Sequence, residues 1–200
     1  MLELLLATGN EGKANEISEM LAALPVCLRT LKEFDELPIV PETGISFQQN
    51  AAIKASAYAK LTGLPALADD SGLEVPAIGN LPGVRTARFA GENASDTANI
   101  SKLLDELKNF VGPERAARFV CEMALSDASG KIVFRCRGTC NGMIAAKPFG
   151  HNGFGYDPVF IPEGHTQTFG ELPEKIKKRI SHRSKAMQKF IDHCELFLDS

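Results

Sequence analysis

The stretch Leu64-Pro-Ala-Leu-Ala-Asp-Asp-Ser-Gly-Leu73 joins a short apolar run to two adjacent carboxylates. Gly63 precedes the run and Gly72 follows it, which predicts a buried strand that ends at Asp69 and Asp70. Two carboxylates at the end of a buried strand are costly unless a cation lies beside them. The sequence therefore predicts that a divalent metal, or lysine and arginine side chains from elsewhere in the chain, lies next to this pair.

The composition limits the classes of protein that fit. The chain has 200 residues, is 44% hydrophobic and carries a net charge of −3. This length and composition predict one domain, or one domain with two lobes, over residues 1–200. Without an overall positive charge, binding to nucleic acid is disfavoured. No apolar run approaches the ~18 residues that span a bilayer. The first residues indicate a strand and lack a basic leader, so we expect a cytoplasmic protein that does not enter a membrane.

The cysteines are odd in number, and no two of them have Cys-x-x-Cys spacing. We expect free, buried thiols in a reducing compartment. A zinc site built on Cys136 and Cys140 is the alternative, but it lacks a second pair of ligands.

The polar segment Thr8-Gly-Asn-Glu-Gly-Lys13 lies where an apolar strand, residues 2–7, gives way to a helix that we predict to end near Leu24. Asn10 is a suitable N-cap for this helix. Backbone N–H groups and the dipole at a helix N-terminus favour an anion, and Lys13 adds a full positive charge. The segment is therefore a candidate anion site, the alternative being an ordinary capped turn with a surface lysine.

A second helix is predicted from about Phe47 to Leu61, because Ser46-Phe-Gln-Gln49 has the form of a capping box. Asn50 and Lys54 lie four residues apart on this helix, so they share one face. We predict that this face points at the two aspartates, and a solvated surface is the alternative.

Two strands, Ala116–Ser126 and Lys131–Cys140, are joined by Asp127-Ala-Ser-Gly130, a natural hairpin turn. We predict an antiparallel pair that begins a second lobe. A helix from about Ser95 to Phe110 precedes the pair, and a short strand at Val159–Ile161 follows it. Alternating strands and helices in the first half of the chain predict α/β layers around a largely parallel sheet.

The segment Gly150-His-Asn-Gly-Phe-Gly-Tyr-Asp-Pro158 places three glycines around two aromatic residues. Glycine lets a backbone approach a ligand closely, and Phe154 or Tyr156 could stack on a planar ring. The alternative is a tight loop whose aromatic side chains turn into the core.

The C-terminal segment, residues 173–198, is predicted to be helical, and it is basic and free of acids between Lys175 and Lys189. In a chain that is acidic overall, such a run indicates an anionic small ligand, with a solvated helix face as the alternative. Ser181 can cap the final helix.

Six motifs can now be read together. They are Thr8-Gly-Asn-Glu-Gly-Lys13, Glu42-Thr-Gly44 with Phe47 and Asn50-Ala51, Ala68-Asp-Asp-Ser-Gly72, Leu81-Pro-Gly83 with Ala87-Arg-Phe89, Gly153-Phe-Gly-Tyr-Asp-Pro158 and Ile180-Ser-His-Arg183. In this order and spacing the set closely resembles the inosine triphosphate pyrophosphatase family, also called non-canonical purine or dITP/XTP pyrophosphatases. The resemblance extends from about residue 4 to residue 190.

This resemblance implies an α/β fold of two lobes, with a long mixed β-sheet flanked by helices and an active-site cleft between the lobes. It implies a homodimer that requires Mg2+ and hydrolyses XTP, ITP or dITP to the nucleoside monophosphate and pyrophosphate. The implied partners are a purine nucleoside triphosphate and a second copy of the chain.

The matching positions carry the roles that the resemblance implies. Asp70 would be the general base and a metal ligand, with Ser71 beside it in contact with substrate. Family members often have two glutamates before Thr-Gly, whereas here Pro41 stands at the first position and Glu42 alone is left as a metal ligand. The residues implied to bind the triphosphate are Thr8, Gly9, Asn10, Glu11, Gly12 and Lys13. Those implied at the nucleoside are Phe154, Gly155, Tyr156 and Asp157, with Lys177 at the phosphates or base and His182 and Arg183 at the purine edge.

The residue chemistry fits this activity independently. Hydrolysis of a phosphoanhydride needs positive charge at the phosphates, a metal that bridges their oxygens and a base for water. Lys13 and Lys177 supply the charge, and the aspartate pair supplies a metal ligand and a base. Two alternatives stay open: a pyrophosphatase for pyrimidine or methylated nucleotides, and a nucleotide-binding protein without catalysis whose acid pair is structural.

Overall fold

The computed structural model describes residues 2–22, 24–34 and 36–198, which form one mixed sheet and its flanking helices. The strands are β1 (Leu2–Leu6), β2 (Val26–Thr30), β3 (Ala66–Val75), β4 (Leu81–Pro82), β5 (Ala116–Ser126), β6 (Ile132–Ile144) and β7 (Phe160–Pro162). The helices are α1 (Glu11–Leu21), α2 (Phe47–Thr62), α3 (Asp96–Glu106), α4 (Glu174–Ile180) and α5 (His182–Leu198). Among these described residues, no helix is both long and apolar enough to span a membrane.

The sheet combines parallel and antiparallel pairs. Its strand order is β2-β1-β3-β5-β6-β7, and β4 pairs with β3. Strand β1 runs parallel to both β2 and β3, whereas β3–β4 and β6–β7 are antiparallel pairs. Strands β5 and β6 are joined by a turn in which the N–H of Asp127 donates to the carbonyl of Lys131 (2.9 Å), so they are antiparallel, as predicted. The predicted mixed sheet flanked by helices is therefore confirmed.

The chain divides into two units. The first comprises Met1–Asp70, Cys121–Gly138 and Arg183–Ser200, and the second comprises Ser71–Val120 and Thr139–His182. The prediction that the β5–β6 hairpin begins a second lobe is wrong, because its turn and the adjoining halves of both strands belong to the first unit. The error came from treating one hairpin as one structural unit, although each strand is long enough to serve both.

In the first unit, the side chains of the strands enter two apolar clusters by turns, because successive side chains of a strand point to opposite faces of the sheet. One cluster contains Leu4 and Leu6 of β1 with residues of α1 and α5. The other contains Leu5 and Ala7 with the small apolar face of α2. Helices therefore cover both faces of this part of the sheet.

The second unit has a core of its own, rich in aromatic residues. Phe119 and Phe160 pack with ring centroids 4.5 Å apart, and Phe160 and Phe169 with centroids 5.5 Å apart. Leu103 and Leu107, from α3 and the turn after it, are fully buried in the same cluster. The helix therefore packs on this core through an apolar face.

Local signals placed the helix starts well. The Ser46 hydroxyl accepts the N–H of Gln49 (3.2 Å) at the start of α2, while the Gln49 side chain accepts from Ile45 (2.9 Å) instead of closing the predicted box on Ser46. Ser95 caps α3 in the same way. The C-terminal segment is two helices, because Ser181 has an extended backbone between α4 and α5.

Candidate active site

The two aspartates lie in the interior of a strand. The prediction that the apolar strand ends at Asp69 is wrong, since β3 continues through Ser71 and Gly72 to Val75. Strand interiors disfavour aspartate because its charge is seldom satisfied there. Here the charges are satisfied by side chains from three helices, so the strand does not need to stop. Because Asp69 and Asp70 are consecutive in a strand, they point to opposite faces of the sheet.

Asp69 faces α1 and α5 and is completely buried. The Lys13 ammonium lies 3.0 Å from Asp69 Oδ2, and the Arg183 guanidinium lies 3.7 Å from the same oxygen. Arg183 is itself 2% exposed and pairs with Glu16 of α1. Burial alone would lower the pKa of Arg183, but the nearby Asp69 and Glu16 raise it, so the guanidinium stays charged. These residues form a buried ion network.

Asp70 faces α2. Asn50 Nδ2 donates to Asp70 Oδ2 (3.0 Å), and Lys54 Nζ lies 3.9 Å from Oδ1. The prediction that Asn50 and Lys54 share a face directed at the aspartates is confirmed. Lys54 makes a closer contact with Glu42 (2.6 Å), so one ammonium joins the two carboxylates that the sequence proposes as metal ligands.

Asn50 also fixes the loop that carries Glu42. Its Oδ1 accepts the N–H of Gly44 at 2.8 Å. A Cβ atom at Gly44 would lie 2.6 Å from that oxygen, so only glycine allows the contact. The Glu42-Thr-Gly44 motif therefore sets the distance between this loop and α2.

The electrostatics of Asp70 suit a base. Burial raises its pKa from 3.8 to about 6, against the opposing effect of Lys54 and Lys13, and the carboxylate of Glu42 adds to the increase. Burial also tends to lower the pKa of Lys54, but the surrounding carboxylates outweigh it and the net pKa is raised. At neutral pH, Asp70 is thus an ionised carboxylate that can accept a proton, beside a permanently charged lysine.

The Thr8–Lys13 segment forms the predicted capped turn before α1. Asn10 Oδ1 accepts the N–H of Lys13 (3.0 Å), and the Thr8 hydroxyl accepts the N–H of Asn10 (3.3 Å). Gly9, Asn10 and Glu11 are exposed, whereas Lys13 is half-buried against Asp69. The turn thus exposes polar groups beside a lysine whose charge Asp69 partly balances.

The residues around Asp70 fit a hard divalent cation. The carboxylates of Glu42 and Asp70 already converge on one positive centre, the Lys54 ammonium. Mg2+ takes oxygen ligands and is commonly held by one or two carboxylates with phosphate oxygens and water. Within the described part of the chain, no group of three or more histidine, cysteine or acidic side chains is arranged to hold a metal. None of the five cysteines forms a disulfide, as predicted, but the prediction that all are buried is wrong, since Cys27 is exposed and Cys136 and Cys194 are half-buried.

In the second unit, the glycine-rich loop is tied to α4. Lys177 is buried and its ammonium contacts Asp157 Oδ2 at 2.6 Å. The same ammonium lies 4.5 Å from the centre of the Phe154 ring. Asp157 Oδ2 also accepts the N–H of Phe154 at 2.9 Å, and a Cβ at Gly153 would lie 1.9 Å from that oxygen. Three of the predicted nucleoside-binding positions therefore form one connected structure.

The other predicted positions of the second unit differ in exposure. Tyr156 is buried, and its hydroxyl donates to the carbonyl of Thr86 (3.0 Å), so its ring belongs to the core. Phe154 is only half-buried, which leaves it as the aromatic ring of this loop that can meet a base. His182 is buried and stacks on Phe119, with ring centroids 4.8 Å apart. Ser71 is half-buried in β3.

Sequence reasoning directed the shared face of Asn50 and Lys54 at the aspartates but did not count either residue among those of the site, yet both contact Asp70. Their four-residue spacing was the available signal, and the structure adds that Lys54 is almost fully buried, which requires carboxylates as partners.

The fold and this cluster together define a class. It is that of mixed α/β proteins with a buried acid pair set against lysines, an arrangement that suits hydrolysis of phosphoanhydrides. The chain belongs to the Ham1 family, whose sequence model matches residues 4–193.

Known relatives and a solved structure match nearly the whole length of this chain. A dITP/XTP pyrophosphatase of Geobacter sulfurreducens is 47% identical over 193 residues, covering 96% of both proteins. That of Geobacillus kaustophilus is 43% identical and covers 98% of this chain and 95% of its own length. The structure of a HAM1 protein from Coxiella burnetii superposes with a TM-score of 0.90 at 42% identity, covering 98% of this chain and 99% of that one. The mixed α/β fold and the family resemblance are thereby confirmed.

Proposed function

We propose that this protein hydrolyses non-canonical purine nucleoside triphosphates, namely dITP, XTP and ITP, to the nucleoside monophosphate and pyrophosphate. It is a nucleoside-triphosphate pyrophosphatase that removes deaminated purine nucleotides from the nucleotide pool. The observation that carries the proposal is Asp70, a buried carboxylate with a raised pKa that lies between Asn50 and Lys54. Relatives that are 43–47% identical along nearly the whole chain bear the name of this activity.

Asp70 is the general base of the proposed reaction. Its carboxylate accepts a proton from water, and its raised pKa makes it a better acceptor than an ordinary aspartate. Asn50 fixes the orientation of the carboxylate through its 3.0 Å hydrogen bond. Lys54 favours the ionised form of Asp70, because its ammonium lowers the pKa of that carboxyl, and the same ammonium contacts Glu42.

Asp70 and Glu42 are also the residues that would hold Mg2+. Held there, Mg2+ would supply positive charge to stabilise the negative charge that develops on the leaving pyrophosphate. Lys13 and the exposed polar groups of the Thr8–Lys13 turn would bind the triphosphate. Lys13 can exchange its contact with Asp69 for a phosphate because Arg183 still balances the Asp69 charge.

We assign recognition of the base to the second unit. Phe154 would stack on the purine, while Gly155, Tyr156 and Asp157 shape the loop and Lys177 supports the ring. A donor to the 6-keto oxygen would discriminate against adenine, whose amino group would face that donor without an acceptor. His182 is the first candidate donor, and Arg183 is the second, although Glu16 and Asp69 already engage its guanidinium.

A direct assay tests the activity. The protein is incubated with Mg2+ and ITP, and the products are separated. The expected products are IMP and pyrophosphate, and chelation of the metal with EDTA should stop the reaction. Release of inorganic phosphate, or no turnover of any triphosphate, would contradict the proposal. A panel that includes ATP, dUTP and a methylated purine triphosphate separates this specificity from that of a pyrimidine or methylated-nucleotide pyrophosphatase.

The assembly and compartment are proposed with the activity. A homodimer is expected, and exposed apolar side chains such as Ile39 and Ile45 provide apolar surface for an interface. Light scattering coupled to size exclusion would give the mass in solution. A cytoplasmic location follows from the nucleotide pool on which such an enzyme acts, and the free thiols suit a reducing compartment.

A further inference from the structure

A carboxylate outside the six motifs binds the loop that carries Phe154. Asp96 is the first residue of α3, and its Oδ2 accepts the N–H of Gly155 at 2.7 Å, across 59 positions of sequence. Capping of α3 does not need this carboxylate, because the Ser95 hydroxyl already accepts the N–H of Ala98 (3.2 Å). The Asp96 side chain is thus directed at the loop.

The loop presents two consecutive N–H groups to two carboxylates. The N–H of Phe154 donates to Asp157 Oδ2 (2.9 Å), and the N–H of Gly155 donates to Asp96. Gly155 has a left-handed backbone (φ +60°), which is the geometry that turns successive N–H groups towards an anion. The peptide planes on both sides of the Phe154 Cα are therefore fixed by charged acceptors, and only one of these acceptors belongs to the loop itself.

We propose that Asp96 is a positioning residue for the purine: it fixes the Phe154-Gly155 peptide and so orients the Phe154 ring on which the base stacks. The inference rests on the proposed function, because it assumes that Phe154 binds the base. Without the Asp96 carboxylate, Asp157 and Lys177 still hold one side of the loop, so the ring stays near its place but loses its fixed orientation. The loss should fall on binding of the nucleoside and spare binding of the phosphates.

The test compares two ligands in two variants. Asp96→Ala removes the acceptor, whereas Asp96→Asn keeps an oxygen that can accept from Gly155. Binding of IMP should weaken about fivefold in Asp96→Ala, the effect of losing one hydrogen bond, and stay close to wild type in Asp96→Asn. Binding of pyrophosphate, which has no base, should be unchanged in both. Asp105→Ala, a change of an exposed carboxylate on the same helix, is the matched control.

Hydrogen exchange provides a readout that does not depend on activity. The amide of the Gly155 region should exchange faster in Asp96→Ala than in wild type, and its exchange in Asp96→Asn should stay near that of wild type. Equal IMP affinity in Asp96→Ala and wild type, or an equal loss for IMP and pyrophosphate, would overturn the inference. If wild type fails to hydrolyse ITP while the exchange result stands, the proposed function fails and the Asp96 contact survives as a structural one.

Discussion

The two faces of β3 in the first unit carry neighbouring aspartates with different surroundings. Asp69 is fully buried and has a lysine at 3.0 Å and a buried arginine at 3.7 Å. Asp70 has its lysine at 3.9 Å and shares that lysine with Glu42. One strand thus holds two aspartates in different states: Asp69 is balanced by two cations, whereas Asp70, which we propose as the base, has a raised pKa.

The largest expected effect is on turnover. Asp70→Asn removes the proton acceptor but keeps the shape and a hydrogen-bonding side chain, so we expect turnover of ITP to fall about 10³-fold while the fold is retained. Initial rates of pyrophosphate release measure the loss. Glu74→Gln, which changes another acid of the same strand to its amide, is the control and should keep its activity. Undiminished turnover in Asp70→Asn would place the base elsewhere.

A substitution at Asp69, on the other face of β3, should lower the stability of the fold. Asp69→Asn leaves the buried Arg183 and the half-buried Lys13 without a carboxylate between them, and we expect a loss of about 3 kcal/mol in the free energy of unfolding. The melting temperature should drop by about 6–12 °C. Glu3→Gln, which breaks an exposed pair with Arg29, should change the melting temperature little. If Asp69→Asn melts like wild type, the network is not structural.

The raised pKa of Asp70 predicts how stability depends on pH. The pKa is about 6 in the folded protein and 3.8 ordinarily, so folding favours the protonated acid. The stability that this group contributes is fully present below about pH 4 and is lost as the pH rises through 6. In EDTA, the free energy of unfolding of Asp70→Asn should thus rise relative to that of wild type by about 2 kcal/mol between pH 4 and pH 8. Melting curves at several pH values test this, and a gap that is constant with pH would refute it.

The smallest effect should come from substitution of Lys54, the lysine that contacts both Asp70 and Glu42, and it should appear in the pH profile. Lys54 lowers the pKa of Asp70, so Lys54→Met should raise that pKa and move the acid limb of the kcat/KM profile to higher pH. Asn50→Asp is a useful comparison because it adds a negative charge at the same carboxylate and should shift the limb in the same direction. An acid limb that stays in place in Lys54→Met would show that the limb does not report Asp70.

Residue spacing predicted the part of the site that lies on one helix. The four-residue spacing of Asn50 and Lys54, with the cap at Ser46, gave the correct helix and the correct face of it. The first strands and the hairpin followed from apolar runs and turn residues in the same way.

Long-range contacts explain what the sequence did not predict. The sequence predicted that lysine and arginine side chains lie beside the aspartates, but it did not predict that β3 continues past them. The strand continues because Lys13, Lys54 and Arg183 reach the pair from three helices. We expected Arg183 at the purine edge, and no residue near it in the sequence predicts its contact with Glu16. The same holds for Asp96, whose partner Gly155 lies in another part of the chain.

The position of Arg183 has a consequence for biosynthesis. Asp69 leaves the ribosome early, whereas Arg183 follows only with the start of α5. At usual rates of synthesis, the interval between the two is on the order of 10 s. During that time the aspartate must stay hydrated, because burying it with Lys13 alone would leave the network incomplete. The first unit therefore cannot finish folding before α5 has been made, and a ribosome that stops before α5 releases a protein in which Asp69 lacks its arginine partner.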